Sequence, residues 1–260
     1  EGGVNISETG EVRGVSEING RVENDGIAEL GGSTGEIENR GTLDVDGELA
    51  ASRIWNLEDA QLAVAAGERL QSELWVHNFG DMSIAGELAV VQEGRGLRNY
   101  SDGVLALDGA SLSGDLINNE GGNIELRDAV EVNGSVTNRG RLEVQGDTAN
   151  SLEAVDGTVT HSGEIVLTGA GRFSILAREI VLQGDARIDG SVIDLIGDIF
   201  NQATLLYSGT TTLAGNLVNR GLGLATIAGT LDANGTEVMN RGTMIIAAES
   251  EDDAGTVPGG

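Results

Sequence analysis

The sequence predicts an all-β protein, a single right-handed parallel β-helix (β-solenoid) of about twelve coils with about 20 residues each. A short motif, in which an aliphatic residue precedes Asn by two positions, recurs along the chain. Apolar and polar residues alternate around this motif, as they do in half-buried strands. The composition, with 41 Gly, 1 Pro and no Cys, suits many short strands joined by tight turns. A β-sandwich is the main alternative fold, but it gives no reason for Asn to recur in phase.

The repeat is clearest in the segments that begin at Ile37, Val136, Val218 and Val238. With Asn as position 0, an aliphatic residue lies at position −2, and apolar or small residues lie at +4 and +6. Ten of the positions that fit this frame hold Asn, and two hold His or Ala. The positions are Asn24, Asn39, Asn56, Asn78, Asn99, Asn118, Asn138, His161, Ala177, Asn201, Asn219 and Asn240.

The recurring Asn side chains are expected to point into the core, because positions −2, 0, +4 and +6 share one face of an extended strand. A buried amide needs hydrogen-bond partners. Coils stacked at about 4.8 Å place one Asn directly above the next, so each amide can bond its neighbours. We therefore predict a structural asparagine ladder that fixes the register of the coils.

Glycine commonly follows the Asn at position +2. It stands at positions 26, 41, 80, 140, 163, 221 and 242. Because glycine adopts positive φ without steric cost, we expect it to turn the corner between two strands in that conformation.

The N-x-G turns between alternating strands, the Gly-rich and Cys-free composition and the coil of about 20 residues resemble the passenger regions of bacterial secreted β-helix adhesins, the filamentous-haemagglutinin-like and autotransporter proteins. The likeness covers residues from about 20 to 248. It implies a structural module on the bacterial cell surface or outside the cell, an adhesin stalk or a fibre subunit. Such a module acts by end-to-end or lateral self-association and by binding host-cell or matrix carbohydrate or protein.

Three regions are expected along the chain. Residues 1–19 form an N-terminal partial coil or interface segment, residues 20–248 form the β-helix, and the acidic Gly/Pro tail of residues 249–260 is a linker. Residues 49–75 contain less Gly and a run of Ala, and a short helical insertion is the alternative to a coil there.

Charge and composition restrict the function classes. The net charge is −27, and all 15 basic residues are Arg, so nucleic acid is not an expected partner. The chain has no apolar run long enough to predict membrane insertion. No cofactor is expected. Ca²⁺ is the best candidate ion because oxygen ligands are plentiful, but no known calcium repeat is present.

An enzyme is not expected, although carboxylates are plentiful. General acid–base catalysis needs two or three carboxylates at short range, and here they are spread over every coil. A carbohydrate-active β-helix enzyme, either a polysaccharide lyase or a glycoside hydrolase, is the alternative function.

Aromatic residues are rare, but four of them lie within three predicted coils. They are Trp55, Trp75, Phe79 and Tyr100. Such a group can form a platform on which sugar rings stack, and it is the candidate recognition surface. The alternative is that these rings only fill a wider part of the core or pack under a loop.

Overall fold

The computed structural model describes residues 3–18, 20–145, 149–168, 172–184, 187–202, 204–220, 224–228, 231–232 and 237–247. These residues form 30 β-strands and no helix, and the strands pair in parallel. The predicted all-β parallel β-solenoid with coils of about 20 residues is confirmed. The strands are β1 Val4–Ile6, β2 Glu11–Glu17, β3 Val22–Asn24, β4 Ile27–Ser33, β5 Glu36–Asn39, β6 Thr42–Ala51, β7 Arg53–Asn56, β8 Gln61–Val64, β9 Arg69–Ser72, β10 Val76–Asn78, β11 Asp81–Ile84, β12 Glu87–Val90, β13 Gly96–Asn99, β14 Val104–Leu107, β15 Ser111–Ser113, β16 Asp115–Asn118, β17 Asn123–Leu126, β18 Val130–Asn133, β19 Val136–Asn138, β20 Arg141–Gln145, β21 Asn150–His161, β22 Glu164–Thr168, β23 Arg172–Leu182, β24 Arg187–Asn201, β25 Thr204–Ala214, β26 Leu217–Asn219, β27 Leu224–Ala228, β28 Leu231–Asp232, β29 Val238–Asn240 and β30 Thr243–Ala247.

Each coil has three sides, which the long strand β24 shows in one continuous run. Its residues 187–189 pair with β22, residues 192–196 pair with the start of β23, and residues 198–201 pair with the end of β23. The stack that contains residues 198–201 carries the recurring Asn, and we call it the ladder face. The stack that contains residues 187–189 is the second face, and the stack that contains residues 192–196 is the third face. From β1 to β29, the ladder face continues through the successive coils.

The core is narrow and aliphatic, because the coils leave room for only a few side chains between the three faces. At position −2, Ile37, Ile54 and Val76 stack in register and are fully buried. Phe173, on the third face, is one of the few aromatic residues inside. Burial of each such side chain contributes about 1.5–3 kcal/mol relative to leaving it exposed.

The segment of residues 49–75 forms strands, and the alternative of a helical insertion there is wrong. Leu49, Leu62 and Leu70 are buried in it. Leu62 pairs with Leu43 of the preceding coil, and Leu70 pairs with Leu49. The Ala-rich stretch is therefore one ordinary coil.

The N-terminal segment is stacked on the rod, with β1 paired to β3 and β2 paired to β4. In this coil Ile6 occupies the position beneath Asn24, whereas Asn5 is exposed. The tail of residues 249–260 lies outside the described residues. In the described part of the chain, no helix is long and apolar enough to cross a membrane.

The corner glycines have a different role from the one predicted. Positive φ is not found at positions 26, 41, 80, 140 or 163, so the predicted conformation is wrong there, and position 221 lies outside the described residues. At each of those five positions a Cβ atom would overlap a backbone carbonyl oxygen of the preceding coil. Glycine is required because the two coils approach closely, and not because the chain needs a left-handed residue.

The corners after the ladder face are unequal in length, and several are two residues longer than the predicted spacing. After Asn56, Asn99 and Asn118 the next inward residues in register lie at +6 and +8, rather than at the predicted +4 and +6. In the first two of these corners a non-glycine residue adopts positive φ, Asp59 at 62° and Asp102 at 65°. Aspartate tolerates this conformation better than most residues.

Candidate functional site

The predicted asparagine ladder is present along the ladder face. Seven Asn residues from Asn24 to Asn138 are joined by bonds in which each Nδ2 donates to the next Oδ1, at 2.7–2.9 Å. Asn138 Nδ2 then lies 3.1 Å from Nδ1 of His161. A second run joins Asn201 to Asn219 at 2.9 Å and Asn219 to Asn240 at 2.7 Å.

Most ladder amides also bond the backbone at the corner of the next coil. Asn78 Nδ2 donates to the carbonyl of Val104 at 3.0 Å, and Asn118 Nδ2 donates to that of Arg141 at 3.0 Å. These Asn side chains are fully buried, and the bonds supply the partners that a buried amide requires. The ladder therefore fixes the stacking of the corners, which is a structural task.

The ladder is interrupted between His161 and Asn201. Leu182, which is fully buried, pairs with both and holds the intervening position. The assignment of this position to Ala177 is wrong, because Ala177 pairs with Ala154 on the third face. An aliphatic residue precedes both candidates by two positions, Ile175 before Ala177 and Ile180 before Leu182. Because this coil has no Asn, the sequence contained no polar residue that marks which of the two belongs to the ladder.

Three of the four candidate recognition residues, Trp55, Phe79 and Tyr100, come together with His77 on the outside of the ladder face. Trp55 stacks on His77 with ring centroids 5.9 Å apart, His77 stacks on Tyr100 at 5.7 Å, and Phe79 stacks on Tyr100 at 4.2 Å. Trp75 lies at the other end of strand β10, next to Val76. All five rings are half-buried and none belongs to the core, so the alternative of core filling is wrong. We call this group the aromatic platform.

Arginine side chains cover the tryptophan rings of the platform. The guanidinium carbon of Arg53 lies 4.9 Å from the ring centroid of Trp55. Those of Arg98 and Arg95 lie 3.9 and 5.7 Å from the ring centroid of Trp75. Such contacts contribute about 0.5–1 kcal/mol each at exposed positions. They order long, flexible arginine side chains on a flat apolar support.

His77 is neutral at ordinary pH. Burial is the main cause that lowers its pKa from 6.5 to about 4, and the positive charges of Arg98 and Arg53 lower it further. Its Nδ1 and the hydroxyl oxygen of Tyr100 are 3.0 Å apart in a hydrogen bond. The imidazole therefore acts as an uncharged ring in the middle of the platform.

Lowering the pH from 6.5 towards 4 is expected to destabilise the protein through His77. In that window the unfolded chain binds a proton at His77 and the folded chain does not, so the free energy of unfolding falls as the pH falls. The loss levels off below about 4. Because the ring is partly exposed, we expect it to be about 1 kcal/mol.

Urea unfolding of the wild type and of His77→Gln across this pH range measures the contribution. The Gln variant keeps a polar side chain beside Tyr100 but cannot titrate. An identical pH dependence for both proteins would contradict the assignment to His77.

One buried carboxylate lies outside the platform, on the third face. Asp194 accepts hydrogen bonds from Arg172 and from the hydroxyl of Ser174, the latter at 3.2 Å. Burial by itself raises the pKa of Asp194, but the hydrogen bonds from Arg172 and Thr212 outweigh burial and hold the pKa below its ordinary value. The buried carboxylate is thus kept ionised by an arginine whose own side chain is 57% exposed.

Other carboxylates stack in register on the outer surface, and some are paired with arginine. Glu125 and Glu143 are neighbours on the second face, and they contact Arg127 and Arg141. Within the described ranges, no group of three or more His, Asp or Glu side chains is placed to hold a metal ion.

The arginines and His77 were missed as members of a site, although the sequence contained the signal for some of them. Counting one residue back from Asn56, Asn78 and Asn99 gives Trp55, His77 and Arg98. These positions stack in register because the Asn residues do. Arg95 could not be found in this way, since it precedes the strand in an irregular corner.

Comparisons with known proteins returned no match: no protein-family model fits the chain, and neither a curated protein nor a solved structure is similar to it. The resemblance to secreted β-helix adhesins is therefore limited to the parallel β-solenoid and its asparagine ladder. Inferences about function rest on the residues and their geometry.

Proposed function

We propose that the protein is a structural and binding module of a secreted or cell-surface protein, an adhesin stalk or a subunit of an extracellular fibre. The observation that carries this proposal is the stack of the ladder face from β1 to β29, held by side-chain amides in seven consecutive coils. The twelve successive pairings of this face, spaced about 4.8 Å apart, make a rod of roughly 60 Å. A rod of this kind suits a spacer that holds a binding surface away from its anchor.

Exposed apolar side chains on the outside of the rod support association between copies. Ile27 is 47% exposed, Val91 is 63% exposed and Ile245 is 49% exposed. Such side chains favour contacts with another apolar surface. Because the net charge is −27, rods repel one another, and added salt weakens that repulsion.

Electron microscopy of the purified chain at several protein and salt concentrations tests the structural role. We expect rods that join end to end or side by side as salt increases, and binding of the chain to host cells or extracellular matrix. Compact particles, or rods that neither associate nor bind, would contradict the proposal.

The same preparation discriminates a structural module from a carbohydrate-active enzyme. Neutral and acidic polysaccharides are incubated with the chain, and reducing ends and unsaturated products are measured. Product that accumulates in proportion to the protein would replace the structural proposal with the enzymatic one.

A further inference from the structure

We propose that Trp75, Arg95 and Arg98, together with the groove beside Phe79, bind an acidic polysaccharide, a chain of sugars that carries carboxylate or sulfate groups. This inference rests on the proposed binding role and gives its ligand class.

Arg95 and Arg98 provide unused hydrogen-bond donors on a rigid support. Arg98 lies over the ring of Trp75 at 3.9 Å, and because its Nε is buried, the outer nitrogens of its guanidinium group are the ones that can contact a ligand. Neither arginine forms an ion pair or a side-chain hydrogen bond with any residue that the structure describes. Stacking uses the flat faces of a guanidinium, so its N–H edges remain available for a carboxylate or a sulfate.

The lack of partners is informative in a chain with 42 acidic and 15 basic residues. Arg69 on the third face is an example of an arginine that is paired, because it contacts both Glu48 and Glu87. Asp115 donates its backbone N–H to the carbonyl of Arg95, but its carboxylate accepts a hydrogen bond from the backbone of Ser135 at 2.9 Å. The two platform arginines therefore keep their positive charge for a ligand.

The protein's overall charge does not prevent an anionic ligand from binding here. At physiological ionic strength the Debye length is about 8 Å, so carboxylates on distant coils are largely screened. The contact energy is decided by the local guanidinium groups, whose charge-assisted bonds are about twice as strong as neutral ones.

A groove at the corner that follows the ladder face, beside Phe79, supplies an apolar surface for a sugar ring. It has a volume of about 390 Å³ and is lined by Arg40, Leu57, Glu58 and Phe79. Apolar and aromatic walls with a few polar groups are typical of sites that bind small polar molecules. Neighbouring coils are about 4.8 Å apart, so the groove and the arginines can contact successive units of one polymer.

An acidic polysaccharide fits this surface better than a nucleic acid does. A nucleic acid carries one phosphate per nucleotide and requires a basic groove that follows its backbone. The aromatic platform is covered by only a few arginines, and the chain as a whole has a net charge of −27, so it does not provide such a basic groove. A polysaccharide with spaced acidic groups needs fewer cations.

Isothermal titration calorimetry tests the proposal with three polymers of known chemistry. Polygalacturonate carries carboxylates, dextran sulfate carries sulfates, and dextran has the same backbone as dextran sulfate without charge. We expect the wild type to bind at least one acidic polymer, and the double variant Arg95→Gln/Arg98→Gln to bind it about tenfold more weakly. The two acidic arms show which anion is preferred.

The matched control is Arg127→Gln, which removes one positive charge on an exposed arginine that pairs with Glu125 at 2.9 Å on the second face. We expect the affinity of Arg127→Gln to equal that of the wild type. We also expect every variant to stay folded, with a cooperative unfolding transition well above the temperature of the titration. Equal binding of dextran, an equal loss in Arg127→Gln, or binding of a single-stranded oligonucleotide instead would overturn the proposal. Failure to bind any of the three polymers would also overturn it, and rods that still associate or still bind host cells would leave the structural function intact.

Discussion

Replacing Asn118 by Ala is expected to lower the free energy of unfolding by about 3 kcal/mol, because it interrupts the longer ladder run. Asn118 accepts from Asn99 at 2.9 Å, and it donates to Asn138 at 2.8 Å and to the carbonyl of Arg141 at 3.0 Å. The Ala variant leaves these groups buried without their partner, and each such group costs about 1–3 kcal/mol before neighbouring bonds compensate. Chemical unfolding followed by circular dichroism measures the loss.

Two variants separate the ladder from general effects of the substitution. Asn133 is an exposed Asn at the end of β18, so Asn133→Ala should change the free energy of unfolding by less than about 0.5 kcal/mol. Asn118→Asp keeps the size of the side chain but removes the Nδ2 donor, and it should destabilise at least as much as Ala. Equal stability of Asn118→Ala and the wild type would show that the amide bonds do not hold the coils together.

The ladder lies at one particular corner because backbone carbonyl groups there take their hydrogen bonds from side chains and not from a neighbouring strand. At the turn from the ladder face to the second face the strands of a coil diverge, and carbonyls such as those of Thr42 and Val104 receive their bond from an Asn side chain of the preceding coil. An amide that both donates and accepts can repeat this arrangement from coil to coil. The interruption at Leu182 shows that apolar packing can replace one step.

The regular parts of the fold could be predicted from the sequence, because they repeat in phase. The aliphatic −2 positions, the ladder Asn residues and the parallel stacking follow from period-two alternation and one spacing of about 20 residues. The unequal corners could not be predicted. Asp59 and Asp102 adopt positive φ, and the sequence contains many other Asp residues that do not.

The aromatic platform, too, could be predicted from the sequence only in part. The sequence placed Trp55, Trp75, Phe79 and Tyr100 near one another, and the register of the ladder explains why Trp55 and His77 stack. The position of Arg98 over Trp75 depends on side-chain packing between neighbouring coils, which periodicity does not describe. The regular ladder therefore provides a support with fixed spacing, and the outward-facing side chains provide whatever recognition the rod has.

Gly140→Ala is expected to destabilise the rod by about 3 kcal/mol or more, although it adds only one methyl group. A Cβ at Gly140 would overlap the carbonyl oxygen of Gly122 and lie 2.8 Å from Nδ2 of Asn118. Neither group can move without breaking bonds of the corner, including the ladder bond of Asn118 to Asn138. Overpacking of this kind typically costs 1–3 kcal/mol and costs more where the backbone is the obstacle, so about 3 kcal/mol is expected.

Gly47→Ala is the matched control, because the two glycines differ in what surrounds them. Gly47 adopts positive φ, at 67°, and a Cβ there would meet no atom within 4 Å. That variant suffers only the strain of an L-residue in the left-handed region, about 1–2 kcal/mol. If the corner glycines served only to supply positive φ, as the sequence suggested, Gly140→Ala would cost no more than Gly47→Ala. Because they serve close approach of the coils, Gly140→Ala should show the lower unfolding midpoint of the two.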